Sequence, residues 1–252
     1  MTWTELVMGS APSKGDQPAV SDVRTGEVLS YAQFARRVTR AAGGLRRDGL
    51  AFGDRVLIDL PLGASLAVAV HAVAWAGGVA VLGGPGPVRM VITRGAREPG
   101  GAAADRVADR VYAFRPSPGA LPFAGLLNAS PVEFGPLAGA ALEPGGGRVL
   151  DHGELAADLR NLAARLVVGK DDVVVNAAGD LLKGLRVLDL ALMSGAHVVI
   201  AANEPTVIGC RVLAAERRAT MVVAPYDVAR RLLGNPILRV VDERAIVSSL
   251  GL

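Results

Sequence analysis

Three neighbouring stretches decide the fold: Asp172-Val173-Val174-Val175-Asn176, then residues 181–193, then His197-Val198-Val199-Ile200-Ala201-Ala202. The first and third are short, continuous apolar runs, as expected of strands buried on both faces. The middle stretch is long enough for a helix, and Ser194-Gly195 closes it. A strand, a crossover helix and a second strand in the same sheet must run parallel. The alternation continues with a helix over about 206–217, a strand over 220–224, a helix over about 227–233 and a strand over 237–241.

The N-terminal half repeats the scheme. Ser30-Tyr31-Ala32-Gln33 is a capping box, in which the serine hydroxyl takes a free amide and Gln33 reaches back. Behind it Phe34, Val38, Ala41, Ala42 and Leu45 recur at helical spacing, with Arg36, Arg37, Arg40, Arg46 and Arg47 largely on the opposite side. Gly49 stops this helix, and Gly53-Asp54 turns into the strand Arg55-Val56-Leu57-Ile58-Asp59-Leu60. A helix over 64–76 and strands over 79–82 and 90–93 follow. Residues 95–147 are the least regular, with a short helix near 103–108 and a strand over 110–114. Asp151-His152-Gly153-Glu154 is a second capping box, opening a helix that runs to about 166. The pattern predicts an α/β fold with mostly parallel sheets flanked by helices in two lobes. The lobes are expected at 1–94 and 148–252, joined by an irregular segment at 95–147 and packed as one unit.

Composition narrows the function classes. Apolar residues make up 51% and charged residues 20%, as in a globular core-forming chain. Aromatics are only 4%, so the core must be built from Val, Leu and Ala. The net charge of +3 is small, and Lys14, Lys170 and Lys183 are the lysines, so the remaining basic residues are arginines interspersed with acids. No concentrated basic face with stacking aromatics emerges, which argues against nucleic acid. Cys210 stands alone, excluding an intramolecular disulfide and a thiolate zinc cluster. Residues 60–88 contain no Asp, Glu, Lys or Arg, yet Pro61, His71, Gly77-Gly78 and Gly83-Gly84-Pro85-Gly86-Pro87 break the run. It reads as a buried helix, a turn and a buried strand, not a membrane span. Met1 to Ser10 lacks a basic stretch leading into an apolar core, so a cytoplasmic location is expected.

The order of motifs resembles the N-terminal domain of AMP-forming ligases, the superfamily of acyl-CoA synthetases, peptide-synthetase adenylation domains and luciferase. The resemblance rests on Gln17-Pro18-Ala19-Val20, Leu29-Ser30-Tyr31-Ala32-Gln33-Phe34, Ala42-Gly43-Gly44-Leu45, Gly53-Asp54-Arg55-Val56 and Ala76-Gly77-Gly78-Val79. It continues through Arg148-Val149-Leu150-Asp151-His152, Asp171-Asp172-Val173-Val174, Ser194-Gly195-Ala196-His197-Val198-Val199 and Ala219-Thr220-Met221-Val222-Val223-Ala224-Pro225. The chain is also similar to a group of short bacterial proteins with distant likeness to these ligases. The resemblance implies that fold with parts deleted, and a ligand of acyl, CoA or nucleotide type.

The departures bear on activity. Such ligases hold ATP phosphates in a loop rich in Ser, Thr and Gly with a lysine, where small residues let amides converge on phosphate. The equivalent stretch here is Leu142-Glu143-Pro144-Gly145-Gly146-Gly147-Arg148, without Ser, Thr or Lys, and Glu143 is expected to repel phosphate. Gly145, Gly146, Gly147 and Arg148 form either a small anion nest or a plain turn. Leu181 stands where many acyl-CoA synthetases carry a histidine, and Asp242-Glu243 replaces a glycine pair. The resemblance would place an adenine-contacting segment, a ribose-binding aspartate and a C-terminal domain with a catalytic lysine beyond Leu252. No catalytic residue, cofactor or metal is therefore expected, and the chain reads as a non-catalytic binding module. Two alternatives stay open: a carboxylate-activating ligase with a partner-completed site, and an assembly partner of a full-length ligase. In open parallel sheets ligands bind beyond the carboxyl ends of the strands. The residues there are Asn176 with Asp180 and Lys183, Asn203 with Glu204, Pro225 with Tyr226, and Asp242 with Glu243, and the binding candidates among them are Asn176, Asp180, Lys183, Asn203, Pro225 and Tyr226. Gly63-Ala64-Ser65-Leu66-Ala67 is a near miss of a nucleophile elbow and reads as a helix start. His71, His152 and His197 are far apart in sequence and read as structural residues.

Overall fold

The computed structural model describes residues 1–95, 108–133, 135–136, 138–145, 147–201, 205–234, 238–247 and 250. The first half contains α1 (Trp3–Met8), α2 (Ala11–Lys14), β1 (Pro18–Asp22), β2 (Glu27–Ser30), α3 (Tyr31–Arg47), β3 (Arg55–Asp59) and α4 (Ala64–Ala76). Next come β4 (Val79–Val81), β5 (Met90–Thr93), β6 (Arg110–Ala113), β7 (Leu121–Pro122), a 3₁₀ turn (Phe123–Asn128), β8 (Ala140–Glu143) and β9 (Leu150–Asp151). The remainder is α5 (His152–Arg165), β10 (Val173–Asn176), α6 (Leu181–Ser194), β11 (His197–Ile200), α7 (Val207–Glu216), β12 (Met221–Ala224), α8 (Tyr226–Leu232) and β13 (Arg239–Asp242). A second 3₁₀ turn (Glu243–Ala245) follows.

Both capping boxes form. The Ser30 amide donates to Gln33 Oε1 at 3.0 Å and the Gln33 amide to Ser30 Oγ at 3.1 Å. The Asp151 and Glu154 amides make the same reciprocal pair with each other's carboxylates, at 2.9 and 2.8 Å. The helix expected near 103–108 lies almost wholly outside the described residues.

The contacts divide the chain into two compact units built from discontinuous stretches. Unit 1 comprises Met1–Glu5, Ala35–Pro61 and Ser65–Leu155; unit 2 comprises Leu6–Phe34, Leu62–Ala64 and Ala156–Leu252. This division does not follow the expected blocks. The stretch read as an irregular joint supplies β6, β7 and β8 to unit 1, and β1 and β2 belong to unit 2. The reason is strand pairing: β1 lies parallel to β11, with Val20 opposite Val198, a partnership that local periodicity cannot reveal.

Unit 1 holds a seven-stranded sheet in the order β7-β6-β5-β3-β4-β8-β9. Every ladder is parallel except β8–β9, at one edge. Leu57, Val81, Val88 and Val91 form one of its buried clusters. Helix α4 has almost no polar face, and Ala64, Leu66, Ala67, Ala69, Val70, Ala72, Val73 and Ala74 are fully buried. Its uniformly apolar sequence is what packing on all sides requires. Among the described residues no helix is long and apolar enough to cross a membrane. In α3, Gly44 sits where a Cβ would lie 2.5 Å from the Leu126 carbonyl oxygen and 2.6 Å from Leu126 Cα. The Gly43-Gly44 pair therefore lets the 3₁₀ turn approach the helix backbone.

Unit 2 holds a six-stranded sheet in the order β13-β12-β10-β11-β1-β2, parallel except for the β1–β2 hairpin at one edge. One face carries α7 and α8: Val175, Val199, Val222 and Ala224 pack with Cys210, Leu213, Ala214, Val228, Ala229 and Leu232. Helix α6 contributes a continuous buried run from Gly184 to Leu192 and ends at Gly195, whose φ of 77° makes the left-handed cap. The buried Tyr31 phenol donates to the Ala196 carbonyl at 2.7 Å, and burial pushes its pKa well above the ordinary phenol value.

Candidate functional site

The topology of unit 2 defines one crevice. From β10 the chain passes through α6 to β11 on one side; from β11 it returns through α7 to β12 on the other. Connections that leave in opposite directions open a gap at the carboxyl ends of β10 and β12, where open α/β sheets place ligands. Asn176, Asp180, Lys183, Pro225 and Tyr226 come together here, joined by the segment 242–244 that follows β13. Asn203 lies outside the described residues.

Several polar groups of the crevice are held by the chain itself. Asn176 is fully buried; its Nδ2 donates to the Gly184 carbonyl at 2.7 Å and its Oδ1 accepts from the Ala178 amide at 3.4 Å. It clips the β10–α6 loop to the first turns of α6. Asp180 caps α6, accepting from the Lys183 amide at 2.8 Å. Replacing Asp180 by alanine is expected to cost about 1 kcal/mol, measurable as a lower urea midpoint.

The decisive contact is Glu243. Its Oε2 accepts from the Gly179 amide at 2.7 Å and lies 3.5 Å from the Asp180 amide. A carboxylate of the chain thus lies on the two loop amides that lead into α6, next to the positive end of the helix. Next to it, Asp242 accepts from the Arg244 amide at 2.9 Å and from Arg244 Nε at 2.7 Å. The Arg244 hydrogen bond holds the Asp242 carboxyl below the usual carboxylate range, with Lys183 adding a smaller contribution. The Arg244 guanidinium also lies 3.7 Å from the centroid of the half-exposed Tyr226 ring. Beyond it, Tyr226, Ala229, Arg230, Leu233, Val240 and Asp242 line a shallow pocket of about 140 Å³. The crevice thus carries mixed charge beside one aromatic face, with Asp242 paired to Arg244 and the Asp180 and Glu243 carboxylates on backbone amides.

Sequence reading placed Asp242 and Glu243 at a strand end but missed what they do. The available signal was a carboxylate directly after the edge strand beside β12. Its loop runs past the β12 and β10 ends, within reach of a glycine amide.

The glycine stretch belongs to unit 1 and is the turn between β8 and β9. These strands are antiparallel, with Leu142 opposite Leu150. Gly145 and Gly147 have φ of 134° and 80°, and Gly146 lies outside the described residues. Arg148 Nη2 is 3.8 Å from Glu154 Oε1. The expectation that Glu143 repels an anion in this loop is corrected. Glu143 is the last residue of β8, buried and paired with Arg55 at 2.8 Å. Arg55 also donates to the Pro85 and Pro87 carbonyls, at 3.1 and 3.2 Å, so the pair pins the 83–87 loop.

His71 and His152 lie in unit 1 and His197 in unit 2. His197 Nε2 is 2.8 Å from Ser21 Oγ. Among the described residues no group of three or more His, Cys, Asp or Glu side chains is placed to hold a metal ion.

Residues 9–87 match the AMP-binding enzyme family. A 58-residue stretch is 47% identical to a salicyl-AMP ligase / salicyl-S-ArCP synthetase of Mycobacterium tuberculosis, covering 23% of this chain and 10% of that protein. The N-terminal domain of FACL13 from Mycobacterium tuberculosis superposes with a TM-score of 0.72 at 17% identity, over 94% of this chain and 66% of that one. A benzoate CoA ligase from Burkholderia xenovorans gives a TM-score of 0.73 at 22% identity, over 94% of this chain and 52% of that one. Residues 9–87 are thus similar to the AMP-binding enzymes, the fold is that of the N-terminal domain of these solved ligases, and the chain spans about half to two thirds of those structures.

Proposed function

We propose that this AMP-binding-enzyme relative is a binding module that does not itself adenylate a carboxylate. Its ligand on this reading is a small molecule of acyl, CoA or nucleotide type. The observation that supports the reading is the Glu243 carboxylate on the Gly179 amide, which puts a fixed negative charge at the switch point of the sheet. Adenylation requires stabilising a highly charged phosphoryl centre. A carboxylate at those amides works against it, and residues 142–148 supply no hydroxyl or ammonium to compensate. The half-exposed Tyr226 ring, with the Arg244 guanidinium 3.7 Å from its centroid, offers an aromatic surface for the uncharged part of such a ligand.

Two measurements test this. ATP–pyrophosphate exchange with a broad panel of carboxylic acids is expected to stay at the blank for the purified chain. Robust exchange with any acid would overturn the proposal and assign the chain as an acid-activating ligase. A thermal-shift screen against ATP, AMP, CoA and acyl-CoA is expected to show a stabilising ligand; at a hundredfold excess over Kd the gain is about 2.7 kcal/mol. Silence throughout, with co-purification of a second protein, would assign an assembly role instead.

A further inference from the structure

Unit 1 holds a buried pair of histidines that the proposed function does not use. His71, from α4, and His152, the first residue of α5, are 0% and 2% exposed. His71 Nδ1 is 3.2 Å from Thr4 Oγ1, and its ring packs against the Trp3 indole with centroids 4.6 Å apart. His152 is different in kind: neither Nδ1 nor Nε2 makes a well-formed hydrogen bond, and the polar group nearest the ring is the Ala74 backbone carbonyl. A buried polar ring left without well-formed hydrogen bonds in a well-packed unit calls for an explanation. A leucine or phenylalanine would fill the space without the desolvation cost.

We propose that His152 and His71 form a proton-operated latch, in which protonation of His152 releases the N-terminal segment Thr2–Glu5 from α4. The charged groups around His152 set the sign. Glu5 approaches from α1, Asp151 precedes it in β9, the Ala74 carbonyl lies nearby in α4, and His71 faces it from the same helix. Burial and then His71 push the His152 pKa down, and Asp151, Glu5 and Ala74 only partly oppose them. The ring is therefore neutral in the closed form. An open form, with water at the ring, regains the ordinary value of 6.5 and binds more protons. Falling pH must then favour opening, and the closed form is fully favoured only above that value.

The segment that yields is the one whose side chains cover His71: Thr2, Trp3 and Thr4 are themselves buried there. Thr2 and Glu5 are tied chiefly to each other, by the Thr2 amide to Glu5 Oε2 at 2.6 Å and the Glu5 amide to Thr2 Oγ1 at 3.3 Å. Among the segment's contacts with α4 are the Trp3 ring and the Thr4 hydroxyl, both on His71. Helix α4, by contrast, is buried along nearly its whole length. Lifting Thr2–Glu5 is the shortest way to bring water to two imidazoles, and it frees Glu5 to approach a new positive charge.

The reporter is already in place, since Trp3 is one of two tryptophans and is 2% exposed. In a Trp75→Phe background, acrylamide quenching of Trp3 is expected to rise at least about threefold from about pH 7.5 to about pH 5. Adding His152→Phe should abolish most of that rise. Equal pH dependence with and without His152, or a Trp3 that stays protected at the lower pH, would overturn the proposal. If the double variant does not fold, the three histidines of the unaltered chain can be followed by NMR. The Trp3 indole signal should then shift with the midpoint of His152; tracking His197 instead, or failing to move, would equally sink it.

Discussion

Replacing Arg186 with methionine is expected to remove about 3–5 kcal/mol of folding stability, read as a large drop in the urea midpoint. The guanidinium sits inside unit 2 with its side chain 9% exposed, against the Asp158 carboxylate at 5%. Nη2 lies 2.5 Å from Asp158 Oδ2, and Nε donates to the same oxygen at 2.9 Å. Nη1 donates to the Ile246 carbonyl at 3.1 Å and Nη2 to the Val247 carbonyl at 3.4 Å. Arg186 thus does two jobs: it neutralises a buried acid from α5 and anchors the backbone that follows Glu243. Methionine fills much of the same volume, so the loss comes from charge and hydrogen bonding rather than a cavity. What remains is a carboxylate in a low-dielectric site and two carbonyls without their donor. The double variant Arg186→Met with Asp158→Leu separates these terms. Exchanging both partners for apolar residues should recover most of the loss, because a buried ion pair gains little over a packed apolar pair. If the double variant is no more stable than the single one, the carbonyl contacts dominate. The Glu243 position in the crevice would then depend on this arginine.

The contrast between what the sequence disclosed and what it hid has a consistent physical basis. Features set by neighbours in the chain were legible. Ser30 with Gln33, Asp151 with Glu154, and the glycine after Ser194 each act within a few residues, and each appears where local chemistry puts it. Helix α4 was legible because its apolar run is the length of a helix and is broken at both ends. The partners of β1 and β8 were not, because the pairings Val20 with Val198 and Ala80 with Leu142 join distant segments. Glu143 shows the same limit from the other side. Its charge invites a reading in terms of the adjacent glycines, yet its effective neighbour is Arg55, on a different strand of the sheet. The crevice was half legible. The strand-end rule brought out Asn176, Asp180, Lys183, Pro225 and Tyr226, but that Glu243 reaches across to Gly179 depends on the geometry of three adjacent strand ends.

Gly44→Ala is the sharpest test of such a distant contact, and it should cost about 3 kcal/mol through overpacking alone. On helix propensity the change should be favourable, since alanine suits a helix interior better than glycine by about 1 kcal/mol. Packing reverses the sign. The new methyl carbon would stand 2.5 Å from the Leu126 carbonyl oxygen, 2.6 Å from its Cα and 2.8 Å from its Cβ. Two of those three atoms are backbone, so no rotamer change relieves the clash and the whole 3₁₀ turn must move. That turn carries Phe123 and Leu126, both buried. For a chain of this size the loss should lower Tm by about 6–12 °C. Trimming the neighbour with Leu126→Ala should fail to rescue the variant, because it removes only side-chain atoms beyond Cβ. Gly125→Ala, one residue away in the same turn, meets nothing within 4 Å and should leave Tm nearly unchanged. A Gly44→Ala variant as stable as the parent would mean that the turn is not seated on α3 at all. The reason given for the paired glycines would then fail.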